Sequence, residues 1–140
     1  MSLINSIQLS TSTGVKTIEI RNQDITKIDW EYDVLVVSAF PYSYSPTPGT
    51  LIAALESNLG IVVGNLSKSP FLDLRQNLSC WLSQEIDGVN FSRIICLEGM
   101  KTDIASNSNA DISFNNLFGI LSLLSYKKIK ISKIVMPILG

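Results

Sequence analysis

The sequence predicts an α/β fold, a three-layer α/β/α sandwich around a mixed, mostly parallel central sheet. Three observations point there. The run Val34-Leu35-Val36-Val37 is apolar without alternation and rich in β-branched residues, the pattern of a strand covered on both faces. From residue 33 onward, strand-type apolar runs alternate with segments of helical period. A chain of 140 residues that is 46% hydrophobic also suits one core in one domain, spanning residues 1–140.

The elements follow in order. Ile7-Gln8-Leu9 and Val15-Lys16-Thr17-Ile18-Glu19-Ile20 are strands, the second alternating apolar and polar side chains, and Ser10–Gly14 joins them as a hairpin. A polar link from Arg21 to Asp29 precedes the central strand that Asp33 opens. Tyr42–Thr50 is a loop of Pro, Ser and Tyr. Thr47 is the expected cap and Pro48 the first residue of a helix running through Leu51–Glu56, which Gly60 ends. Ile61-Val62-Val63 is expected as a short buried strand. Leu72–Ile86 is expected as a helix, because Leu74, Leu78, Trp81 and Leu82 share one apolar face. Arg93–Leu97 is a second central strand. Asp111 caps a further helix whose stripe is Phe114, Leu117, Phe118, Leu121 and Leu124, with Lys127 and Lys128 at its negative end. The closing run Ile131–Leu139 is a strand of buried type that stops at Gly140. Such an ending predicts the amino-terminal part of a longer protein, carrying a C-terminal effector domain, or a domain completed in a homo-oligomer.

Composition excludes several functions. A net charge of −1, with charged residues at 16% against about 25% in ordinary soluble domains, argues against nucleic-acid binding by phosphate neutralisation. Lys127, Lys128, Lys130 and Lys133 form a mild basic run that complements a helix end. The apolar stretch Leu117–Tyr126 falls far short of the roughly 20 residues that cross a bilayer, so no membrane partner is expected. Histidine is absent, which removes His bases, Ser-His-Asp triads and His metal ligands. Cys80 and Cys96 stand in apolar surroundings without Cys-x-x-Cys spacing and are expected as reduced core thiols. Met1–Ser10 has no signal-peptide pattern, so the default location is cytoplasmic.

The candidate chemistry is sparse. Asp24 precedes an apolar strand, where its carboxylate can meet a ligand or cap a turn. The loop 41–50, followed by a helix start, can offer backbone N–H groups to an anion, although Pro41, Pro46 and Pro48 remove three donors. Gly49 permits close backbone approach. Tyr42 and Tyr44 can stack on a base or ribose, or pack against a partner. Asp73, Glu85, Asp87 and Glu98 have no evident partner at acid/base spacing and are expected to be solvated. Ser38 and Thr50 carry hydroxyls with no general base beside them.

Three segments resemble the macro domains, the α/β/α family that binds ADP-ribose and related nucleotides. Asn22-Gln23-Asp24-Ile25-Thr26-Lys27-Ile28 is similar to the family's Gly-Asp-Ile-Thr segment, whose Asp contacts adenine. Asp33-Val34-Leu35-Val36-Val37-Ser38-Ala39-Phe40 resembles the strand Asp-x-Ile-Val-Asn-Ala-Ala-Asn, and Ile134-Val135-Met136-Pro137-Ile138-Leu139-Gly140 the strand and proline before the second phosphate loop. The resemblance implies adenine contacts at Asp24 and Ile25, contacts to the ligand near Ser38 and Ala39, and phosphate contacts at Gly49, Thr50 and Leu51. Val37 and Phe40 stand where catalytic members have asparagines, and Ser45-Pro46-Thr47-Pro48-Gly49-Thr50 replaces a glycine-rich loop. The expectation is therefore a non-catalytic module that binds an ADP-ribose-like or NAD-derived nucleotide, with no catalytic residues, metal or cofactor. The rival expectation is a macro-like fold without a ligand that serves as a structural or protein-interaction domain.

Overall fold

The computed structural model describes residues 2–99 and 108–138, with side chains from Asp111 onward in the second stretch. Strands β1 (Ser2–Thr11) and β2 (Gly14–Asn22) form an antiparallel hairpin in which Ile7 faces Ile18 and Leu9 faces Lys16. It is longer than its apolar alternation suggests. The hairpin is a sheet of its own, and every residue in it is exposed.

The body is built on a five-stranded mixed sheet, which makes the fold α/β. Its strands are β3 (Tyr32–Ala39), β4 (Leu72–Leu74), β5 (Cys80–Leu82), β6 (Phe91–Glu98) and β7 (Ile134–Val135), in the order β4-β5-β6-β3-β7. β3 pairs in parallel with both β6 and β7, while β4-β5 and β5-β6 are antiparallel, so half of the pairings are parallel. β7 is shorter than the predicted Ile131–Leu139. Asp33 fixes where it begins, since its Oδ2 accepts from the backbone N–H of Ser132 at 2.7 Å and of Lys133 at 2.8 Å. The predicted end of that strand, Leu139 and Gly140, lies outside the described residues.

Successive strand residues point to opposite faces, and both faces are buried. On one, Leu35, Val37, Trp81, Ile94 and Cys96 pack with Ile52 and Leu55 of helix α1 (Leu51–Leu59). On the other, Val34, Val36, Cys80, Leu82, Ile95 and Leu97 pack with Leu117, Ile120 and Leu124 of helix α4 (Ser108–Tyr126). The unbroken apolar runs of β3 and β6 follow directly from this double cover. No helix among the described residues is long and apolar enough to cross a membrane.

Four further elements differ from expectation. Helix α1 starts later, because Gly49 at φ +87 cannot be helical; Thr50 is the cap, its hydroxyl accepting from the Ala53 N–H at 3.2 Å. Ile61–Val63 is not a strand: after Gly60 closes α1 in the left-handed conformation, a short helix α2 (Val63–Leu66) begins. Leu72–Ile86 is not one helix but β4, a helical turn α3 (Arg75–Leu78) and β5, with Leu72 paired to Leu82 and Leu74 to Cys80. A tight antiparallel return can mimic a 3.6-residue period over so short a span. Finally, α4 begins at Ser108, so Asp111 lies in its first turn rather than at its cap, and Phe114 and Phe118 are exposed. The helix is rolled so that Gly119 meets Leu78, where a Cβ would stand 3.2 Å from the Leu78 methyl carbons.

Candidate functional site

In open α/β sheets the crevice beyond the carboxyl ends of parallel strands is the usual place for a ligand. Here β3 ends at Ser38 and Ala39, and β6 at Glu98; the Ala39 carbonyl accepts from the Gly99 N–H at 2.9 Å and ties the two ends together. Ser38 is exposed and Ala39 half-buried. The chain then turns sharply. A bridge between Phe40 and Ser43 closes the turn, and Tyr42 sits within it at φ 55, a conformation costly for a side chain of its size.

Three residues distant in sequence meet behind this turn. Glu98 is 5% exposed. The Tyr44 hydroxyl donates to its Oε1, and Arg75 Nε lies 3.5 Å from the same oxygen. The guanidinium is held from several sides: Nη2 donates to the Ser67 carbonyl at 2.5 Å, Nη1 is 3.6 Å from Asp73, and the group lies 5.7 Å from the Tyr42 ring centroid and 5.4 Å from that of Trp81. Tyr44 also meets Trp81 edge-on at 6.0 Å. Burial, reinforced by the bond to Glu98, pushes the Tyr44 hydroxyl well above the usual phenol range, so it stays a donor. Arg75 Nε and Trp81 Nε1 are buried without a hydrogen-bond partner among the described residues.

Glu98 is thus not solvated as expected, because β6 carries it to the carboxyl end of the sheet, where Tyr44 and Arg75 compensate its charge. Sequence reasoning did not join Tyr44, Arg75 and Glu98, since no spacing links residues in a loop, a helical turn and a strand end. One signal was present, a single carboxylate directly after the apolar run Ile94–Leu97.

Beside this cluster lies an open pocket of about 600 Å³, lined by Tyr42, Tyr44, Ser45, Gly64, Asn65, Ser67, Lys68 and Arg75. Its lining holds two cations and no carboxylate. A depression of about 550 Å³ at the opposite end of the sheet is lined by Glu31, Asp33, Glu85 and Asp87 among others, and so has the contrary charge.

Besides Ser38 and Ala39 at the end of β3, the residues implicated by resemblance fall at two places. Thr50 and the half-buried Leu51 open α1, with the exposed Gly49 before them. Asp24 caps a short 3-10 helix, Ile25–Lys27, its Oδ1 accepting from the Thr26 N–H at 2.9 Å and the Thr26 hydroxyl at 2.8 Å. These bonds, the hydroxyl's foremost, hold its carboxyl below the usual carboxylate value. Ile25 packs against the α1-side core. The Thr26 hydroxyl accepts from Asn58 Nδ2 at 2.8 Å, which fixes this segment at the last turn of α1. With a rise of 1.5 Å per residue, Asn58 is about 12 Å along the helix from Thr50. A ligand touching both places must lie along α1.

Among the described residues no group of three or more acidic or thiol side chains could hold a metal. Cys80 and Cys96 are both unpaired and buried, as expected, and burial raises both thiols, Cys80 to about 12. Set against protein-family models, curated proteins and solved structures, the chain matches none of them.

Proposed function

We propose that the chain is a cytoplasmic, non-catalytic module of macro-like, three-layer α/β/α arrangement that binds an ADP-ribose-like or NAD-derived nucleotide. The supporting observation is the cationic, aromatic-rimmed pocket at the carboxyl ends of β3 and β6, the position where this class of sheet takes nucleotides. Asp24, beside the last turn of α1 through the Thr26–Asn58 hydrogen bond, is the second contact of this reading. Its Oδ1 is engaged by Thr26, while Oδ2 has Lys27 at 3.8 Å across solvent and can accept from an exocyclic amine. Asp24→Ala is expected to lower ADP-ribose affinity about tenfold in calorimetry, as befits the loss of one charge-assisted hydrogen bond. Asp24→Asn, which still caps the 3-10 helix, separates the ligand contact from local unfolding. Unchanged affinity in a folded Asp24→Ala sample would remove the adenine contact.

A second reading, a protein-interaction domain, is favoured by the hairpin. Leu3, Ile7, Leu9, Ile18 and Ile20 are each about half exposed on it, and an isolated two-stranded ribbon is marginal in water.

A further inference from the structure

We infer that the pocket bounded by Tyr42, Asn65, Lys68 and Arg75 is a phosphate subsite, taking the anionic part of a nucleotide while the Tyr42 ring packs against the adjoining ring or sugar. The inference rests on the nucleotide reading and assigns the phosphate to residues other than Gly49, Thr50 and Leu51, none of which lines the pocket.

Four observations converge on it. The lining carries Lys68 and Arg75 and no carboxylate. The two carboxylates that face Arg75 are Glu98 at 3.5 Å and Asp73 at 3.6 Å, and neither lines the pocket. They offset the charge of Arg75, so Lys68, which has no ion-pair or hydrogen-bond partner for its ammonium among the described residues, supplies the uncompensated positive charge. Arg75 supplies direction. Its guanidinium is fixed between two aromatic rings and by the Ser67 carbonyl, and one bond of 2.5 Å uses one of its five N–H donors. A donor fork already ordered loses little entropy on meeting a phosphate.

The polar rim also lacks internal partners. The side chains of Ser45 and Asn65 and the hydroxyl of Tyr42 make no hydrogen bond among the described residues, so each is free to bond a ligand oxygen. Finally, Tyr42 is 72% exposed, yet the backbone holds it at φ 55 with its ring over Arg75. Strain that presents a large ring to solvent beside a cation is the kind of local cost that persists at ligand sites.

The test is calorimetric titration of ADP-ribose into the wild-type chain and the variants Lys68→Gln, Tyr42→Ala and Asp24→Ala. Lys68 is exposed and unpartnered, so Lys68→Gln is expected to leave thermal unfolding unchanged and to weaken ADP-ribose about tenfold. The loss should shrink as salt rises, because a phosphate–ammonium contact at an open site is screened. Tyr42→Ala should weaken binding severalfold. If Asp24→Ala weakens ADP-ribose while Lys68→Gln and Tyr42→Ala bind as the wild type does, the phosphate lies elsewhere and the nucleotide reading stands. If the wild-type chain binds no ADP-ribose, both are overturned.

Discussion

Tyr44 gives the buried Glu98 carboxylate its hydrogen-bond donor, with Arg75 Nε 3.5 Å away. A buried charge that loses a hydrogen bond keeps its desolvation cost. Tyr44→Phe, which retains the ring against Trp81, is therefore expected to destabilise the fold by about 1.5 to 3 kcal/mol in urea titration, the range for bonds to charged groups. A cost below about 0.5 kcal/mol would mean that Arg75 alone satisfies Glu98. This residue-level network was the least legible part of the molecule. Its members are separated by dozens of positions, and each has a bland local context: a turn tyrosine, an arginine after a leucine, a glutamate ending a strand. Asp24 was legible as a cap because its partner is two residues away, and the two thiols because their neighbours are apolar. What sequence conveys about single residues is local; the pairing of Tyr44 with Glu98 exists once β3 and β6 are side by side.

Among the elements, α1 shows how punctuation can be recognised and misplaced. Its stop at Gly60 was legible, since the chain needs φ +67 there. For its start the sequence points to Thr47-Pro48, whereas Gly49 at φ +87 resets the backbone and passes the cap to Thr50. Thr50→Ala should accordingly cost about 1 kcal/mol in thermal or chemical unfolding, and Thr47→Ala, whose hydroxyl caps nothing in α1, should cost clearly less. Equal effects would return the cap to Thr47. The strands β3 and β6 were readable because being covered on both faces leaves an unbroken apolar run. β4, α3 and β5 were not, because four apolar residues at positions 74, 78, 81 and 82 fit a helical stripe equally well. The antiparallel partner that decides between the two, Leu72 against Leu82, is a tertiary fact. The roll of α4 was hidden likewise: small Gly119 toward Leu78 outweighs the exposed Phe118, a choice set by close approach rather than by hydrophobicity.

At the scale of the whole molecule, two cores share one sheet, and the hairpin contributes to neither. Ile18→Lys should then leave the unfolding midpoint unchanged to within about 0.5 kcal/mol, as for an exposed substitution. If the hairpin is an interaction surface, the wild-type chain should scatter light in a concentration-dependent way and the same variant should not. A large loss of stability would instead place the hairpin against the body. The α/β class was legible from the alternation of elements, while the even balance of parallel and antiparallel pairings was not, because the apolar spacing of β4 and β5 also fits a helix. The register of β5 against β6 carries a last consequence. Trp81 is opposite Cys96 and Cys80 opposite Leu97, so the two thiols belong to different cores on opposite faces of the sheet. A slip of a single residue would bring Cys80 directly opposite Cys96 on one face. A disulfide joining them is therefore incompatible with the native pairing, and under oxidising refolding it would be the covalent signature of chains that zipped one step out of place.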